Sequence, residues 1–168
     1  TKVADFGLAK DQNTAVNITR DNAFIGTLIY MAPEIGRIKD IDGRVDIYSL
    51  GITYYYMLTG KQPFRGFKPM ELLSKRAHEK ISPPENFVQG LPMDLRRLLG
   101  KMLIKDRDNR YSNMDELIDD LTALKAGVPI SIKSQTFWAE EGLSQSIELE
   151  DGSAPPNKIL IAIVIGLI

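Results

Sequence analysis

Asp5-Phe6-Gly7 and Ala32-Pro33-Glu34 bracket the stretch on which the reading of this chain turns. The residues between them, LAKDQNTAVNITRDNAFIGTLIYM at 8–31, are rich in Asp, Asn and Thr. They sustain neither the helical nor the strand period. Irregular segments of this length are uncommon in compact domains and are usually lids or switches. Taken singly, each bookend is bland. Asp-Phe-Gly also suits a strand running into a glycine turn. Ala-Pro-Glu also suits a helix start with proline at its first position. Their order, their separation, and Gly26-Thr27-Leu28-Ile29-Tyr30 just before the second make a far more specific pattern.

Outward from that stretch, composition bounds the function classes. The chain has 168 residues, 43% hydrophobic and 26% charged, which suits one globular domain plus a tail. A net charge of −1 gives no polycationic footprint, so nucleic acid is not an expected partner. With no cysteine there is neither a disulfide framework nor a thiolate metal site, and a reducing compartment fits. The single histidine, His78, lies in a polar helical stretch and reads as a solvated surface residue. The chain begins at Thr1 and stops at Ile168 inside an apolar run, so we expect an internal piece of a longer protein. A targeting signal is not to be sought in such a piece.

Downstream of the bracketed stretch the pattern is mainly α. Val45 to Thr59 is apolar nearly all round, as a buried helix is, with Asp42 available to cap its start and Gly60 and Pro63 to end it. Asp46 falls in its first turn, where a carboxylate complements the helix dipole. Met70 to Lys80 reads as a polar helix, and Pro83-Pro84 breaks the chain after it. Leu95, Leu98, Leu99, Met102 and Leu103 recur at helical spacing, as do Met114, Leu117, Ile118, Leu121 and Leu124. Both stripes read as core. Ser112 with Asp115 suggests a capping box for the second, and Gly127 with Pro129 stops it.

Beyond Gly127 the character changes. Residues 128–158 have no period and carry mostly acidic charge, and Gly152-Ser153-Ala154-Pro155-Pro156 reads as linker. Phe137-Trp138 suits either docking on the domain or a partner motif. Residues 159–168 are all Ile, Leu, Ala, Val or Gly. As a helix they reach about 15 Å, half the roughly 30 Å core of a bilayer. A buried β-branched strand is the alternative. No polar turn follows, and Lys158 precedes the run as a residue on the cytoplasmic side would, so we expect the start of a membrane span.

With these motifs in hand, residues 1–127 resemble the C-terminal lobe of a serine/threonine protein kinase of the eukaryotic-like type found in bacteria. The resemblance implies a mainly α, kinase-like helical bundle carrying an activation segment that runs from Asp5-Phe6-Gly7 to Ala32-Pro33-Glu34. It implies ATP and Mg²⁺ as cofactors, with Asp5 as a metal ligand, since a carboxylate suits a hard cation. Phe6 and Gly7 become the switch of that segment. Gly26-Thr27 onward becomes the substrate-docking loop, with Thr27 favouring Ser or Thr acceptors, because the Trp and Pro-rich version of tyrosine kinases is absent. Thr14 and Thr19 are candidate phosphosites within what is otherwise a solvated loop. Asp46, in Asp46-Ile47-Tyr48-Ser49-Leu50-Gly51, matches the carboxylate that accepts backbone N–H groups of the catalytic loop. Arg110 matches the arginine that pairs with Glu34, and Arg107 stands where the family commonly has proline.

The glycine-rich loop, the strand lysine, its helix glutamate and the catalytic-loop Asp and Asn are expected upstream of Thr1, so this piece holds no general base and by itself is expected to be inactive. The implied layout is 1–127 kinase lobe, 128–158 juxtamembrane linker and 159–168 start of a single span, in a cell-membrane protein with a cytoplasmic kinase. Implied partners are proteins bearing Ser or Thr and the membrane, with a second copy of the chain as a further candidate. Two rivals stay open: a pseudokinase scaffold that kept the fold, and a soluble kinase whose end packs as a strand.

Overall fold

The structure is a computed structural model, and it describes residues 28–35, 40–64, 68–130 and 132. Among the described residues all regular structure is helical: α1 (Arg44–Thr59), α2 (Pro69–His78), α3 (Met93–Met102) and α4 (Met114–Lys125), with 3₁₀ turns at Pro84–Asn86 and Arg107–Asn109.

α1 is the hub, for a reason visible in its composition. It has no polar face because it is packed on several sides. Tyr48, Ile52, Tyr55 and Leu58 join one apolar cluster with Leu28, Leu72 and Leu99. Ile47 joins a second with Leu98, Met102, Leu117 and Leu121. α3 lies between, packing on α1 with one side and on α4 with the other. The α1–α3 approach is tight at Gly51: a Cβ there would sit 3.0 Å from both Met102 Cβ and Leu103 Cδ2.

The ends follow known capping chemistry, with shifts from the sequence expectation. α1 starts on Arg44, and its N-cap residue is Gly43. Asp42 still serves it from one position further out, its Oδ1 accepting the Arg44 N–H at 3.0 Å. Gly60 closes α1 at φ +65°, its N–H reaching Tyr56 O at 2.8 Å. α2 begins at Pro69, which has no amide hydrogen to leave orphaned, and it ends at His78 rather than Lys80. His78 is exposed, its Nδ1 donating to Ser74 O at 2.9 Å.

α4 is capped by Asn113 and not by Ser112, and Glu116 rather than Asp115 is the residue that reaches back. Asn113 Oδ1 accepts the Glu116 N–H at 2.9 Å. Glu116 Oε2 in turn accepts from both the N–H and the hydroxyl of Ser112, each at 2.8 Å, so that hydroxyl is engaged as a donor instead of a cap. At the far end Gly127 takes φ +70°. Its N–H meets Leu124 O at 3.1 Å and the Val128 N–H meets Ala123 O at 2.9 Å, a Schellman pair.

The expected core stripe of α3 is buried throughout. That of α4 is narrower than expected. Leu117 and Leu121 are buried, whereas Met114 and Ile118 are 39% and 50% exposed. Among the described elements only α3 makes substantial contact with α4, so a single face is covered. No helix among the described residues is long and apolar enough to cross a membrane. The expected linker beyond 132 and the apolar run 159–168 lie outside the described residues.

Candidate functional site

The site is organised on residues 28–35, the closing part of the bracketed stretch. Leu28, Ala32, Pro33 and Glu34 are buried, and a tight turn sets Ile35 N–H on Ala32 O at 3.1 Å. A carboxylate at Glu34 can be buried there because a partner meets it. Arg110 Nη1 donates to Glu34 Oε1 at 2.9 Å and Nη2 to Oε2 at 3.2 Å, a two-pronged pair with both residues about 5% exposed or less.

The rest of that guanidinium is accounted for as well. Nη1 also donates to Arg44 O at 2.6 Å, Nε to Ile104 O at 3.0 Å and Nη2 to Lys105 O at 3.3 Å. A guanidinium has five N–H bonds, and five acceptors surround this one. Its Cζ lies over the Tyr48 ring, 5.0 Å from the ring centre. Burying an ion pair is favourable only when geometry and hydrogen bonding are this complete. One side chain therefore joins the segment end, the start of α1 and the α3–α4 connection.

A second buried arginine, Arg76 of α2, meets the other end of the segment. It is 2% exposed, and its Nη1 donates to Leu28 O at 2.7 Å. Sequence reasoning missed it. The available signal is its spacing from Leu72: a residue four further along a helix shares its face, and Leu72 is buried.

Around the clamp runs an outer polar layer. Arg44 holds Asp42 at 2.7 Å and Asp108 at 2.8 Å. Arg107, standing where proline was the expectation, donates to Asp40 O at 2.5 Å and lies 3.6 Å from Asp42. The Arg44 side chain beside it lowers the Asp42 carboxyl from 3.8 to about 2. This layer ties residues 40–44 to the 3₁₀ turn at 107–109.

Asp46 stands in the first turn of α1, as expected. It is exposed, at a cleft of about 410 Å³ shared with Asp42, Arg44, Ser112, Asn113 and Met114. The first turn of α1 lies at the edge of the core, and burial begins one residue later, at Ile47. Asp5, Phe6, Gly7, Thr14, Thr19 and Thr27 lie outside the described residues. Among the described residues no group of three or more His, Cys, Asp or Glu side chains is placed to hold a metal ion.

The sequence was compared with known proteins. The family model described as protein kinase domain matches residues 1–121. A probable serine/threonine-protein kinase of Clostridium perfringens is 38% identical over 83% of this chain and 20% of its own length. The probable serine/threonine-protein kinase PknB of Bifidobacterium longum is 37% identical over 77% of this chain and 19% of its own. The serine/threonine-protein kinase PknB of Mycobacterium leprae is 37% identical over 76% and 21%. The chain thus spans about a fifth of the length of the curated relatives it matches. Among solved structures, the twitchin kinase region from C. elegans overlays with a TM-score of 0.49 at 25% identity, over 58% of this chain and 16% of that one.

Proposed function

Because this chain belongs to the protein kinase family, we propose that it forms the switch and substrate side of a serine/threonine kinase that moves the γ-phosphoryl of ATP to Ser or Thr hydroxyls of proteins. The observation that carries the reading is the saturated Arg110–Glu34 clamp. It fixes the last residue of the bracketed segment to the helical lobe, and a substrate-docking loop needs such a fixed floor. Phosphoryl transfer is catalysed mostly by positioning and charge stabilisation, so rigid attachment of that loop is of direct use.

The roles divide as follows. Asp5 is the oxygen ligand for Mg²⁺, and the bound ion with ATP would neutralise charge developing on the phosphates. Thr27 orients the acceptor hydroxyl. Phe6 and Gly7 allow the segment to change state, and a phosphate on Thr14 or Thr19 would order it against basic partners. The exposure of Asp46 beside an open cleft supports a role as acceptor for backbone N–H groups of the catalytic loop. The nucleotide roof and the general base belong to a preceding segment of the longer protein. Its relatives' greater length supports that arrangement. Residues 128–158 then form a juxtamembrane linker, and 159–168 begin a single span with the kinase on the cytoplasmic side.

The test is Asp5→Asn in the longer protein. It removes a metal ligand and little packing, so phosphoryl transfer should be abolished with the melting temperature unchanged. Near wild-type turnover in that variant would remove Asp5 from the mechanism.

A further inference from the structure

An arginine side chain has many rotamers, so its aim depends on what holds its root and its tip. Arg110 leaves the chain at the end of the 3₁₀ turn 107–109, its own N–H bonding to Arg107 O at 3.2 Å. Arg44 meets it at both ends. At the tip, the Arg44 carbonyl accepts from Arg110 Nη1 at 2.6 Å, beside the bond that the same nitrogen makes to Glu34 Oε1. At the root, Arg44 Nη1 donates to Arg107 O at 3.2 Å, the same carbonyl that takes the Arg110 N–H. A carbonyl oxygen has two lone pairs and can accept both. The same Nη1 also donates to Asp108 Oδ1 at 2.8 Å.

The Arg44 guanidinium is itself set in place. Its Nε lies 3.0 and 3.1 Å from the two Asp42 carboxylate oxygens, and its Nη2 lies 2.7 Å from Oδ2. The Arg44 side chain is 19% exposed, against 45% for Asp42 and 74% for Asp108. A lone exposed ion pair contributes little to stability, and that is the bland account of this cluster. Two features argue against it. The Asp42 contact is two-pronged and continues to Asp108, and such networks are the exposed pairs that do contribute. The bond to the Arg107 carbonyl is not a charge pair at all. It fixes where the turn that delivers Arg110 sits.

We infer that Arg44 is a positioning residue of the Glu34 clamp: its side chain grips the 107–109 turn and its carbonyl grips the Arg110 guanidinium, which together set the direction from which Arg110 meets Glu34. Arg44 thereby acts on Glu34 through Arg110, and governs how firmly residues 28–35 sit on the lobe. The geometry stands by itself, while its consequence for substrate rests on the kinase reading.

The experiment is a cycle of Arg44→Met and Glu34→Gln in the longer protein, made singly and together. Methionine keeps most of the apolar stem and loses the donors. Glutamine keeps the shape of Glu34 and loses its charge. Amide hydrogen exchange, read by mass spectrometry, compares peptides covering 28–35, 42–47 and 116–125. Arg44→Met should speed exchange in 28–35 by about three- to tenfold, with 116–125 unchanged. In the Glu34→Gln background it should add less than about twofold, because the pair it acts through is already weakened. Arg44→Lys should recover little, since one ammonium cannot fork between Asp42 and the 107–109 turn. The KM for a Ser/Thr peptide should rise about threefold in Arg44→Met, with the ATP KM unchanged. Wild-type exchange in 28–35, or faster exchange confined to 42–47, would overturn the inference and leave Arg44 a helix-start residue. So would an equal effect in both backgrounds, or full recovery by lysine. Faster exchange with an unchanged peptide KM would overturn the consequence for substrate. If Arg44→Met does not fold, Asp108→Ala, which removes an exposed partner from the same grip, takes its place with a shift of the same sign in 28–35. If the wild-type protein transfers no phosphate, the kinase reading falls, and the exchange cycle still decides whether Arg44 holds the clamp.

Discussion

Arg110 shows how much one side chain can organise when every donor it has is matched. Removing it would leave the Glu34 carboxylate buried without its counter-ion, which is the expensive half of a broken pair. Arg110→Ala is expected to cost about 3–5 kcal/mol of stability, and Glu34→Ala a similar amount. The double variant should cost less than the sum of the two, because each single change already destroys the same contact. Denaturant unfolding of the four proteins measures this, and strict additivity would contradict the pairing. Both residues were legible in the sequence, since each sits in a motif with a defined partner in the family. Arg76 was not. One of its acceptors, the Leu28 carbonyl, is backbone and leaves no mark in sequence, and a lone arginine in a polar helix resembles a surface residue. Arg107 was legible only as a departure from proline. The structure supplies its contacts, with the Asp40 carbonyl and the Asp42 carboxylate.

Among the elements, α1 carries the load of the core, and Gly51 sets its distance from α3. Alanine is the better helix former by about 1 kcal/mol, so propensity alone favours Gly51→Ala. Sterics oppose it. The new methyl would lie 3.0 Å from Met102 Cβ, which is fixed to the α3 backbone and has little freedom to retreat. Overpacking of this kind costs about 1–3 kcal/mol, so a net loss is expected, read as a lower denaturation midpoint with an unchanged slope. A more stable Gly51→Ala would show that α1 and α3 can separate freely. The helices themselves were legible from apolar spacing. Their edges were less so, because caps are chosen among neighbouring polar residues by local geometry. At α4 two candidates stand side by side, and which of Ser112 and Asn113 caps depends on where the Glu116 carboxylate settles. Exposure of Met114 and Ile118 could not be read from spacing, since periodicity gives the direction of a stripe and not the width of what covers it.

At the scale of the whole molecule, the helical lobe presents one segment, 28–35, on a floor made by α1, α2 and the α3–α4 connection. The proposed anchor belongs to this scale. In cells, the longer protein should fractionate with membranes, and deleting residues 159–168 should release it into the soluble fraction. Membrane retention after that deletion would place the anchor elsewhere, and wholly soluble behaviour beforehand would remove it. The most direct measurement on the central claim is the chemical identity of the phosphorylated acceptor. The longer protein is incubated with Mg²⁺ and γ-labelled ATP, and its protein substrates or its own chain are hydrolysed to phosphoamino acids. The expected result is label on phosphothreonine or phosphoserine, none on phosphotyrosine, and no label at all with Asp5→Asn. Label confined to phosphotyrosine, or no transfer by a folded wild-type protein, would contradict it.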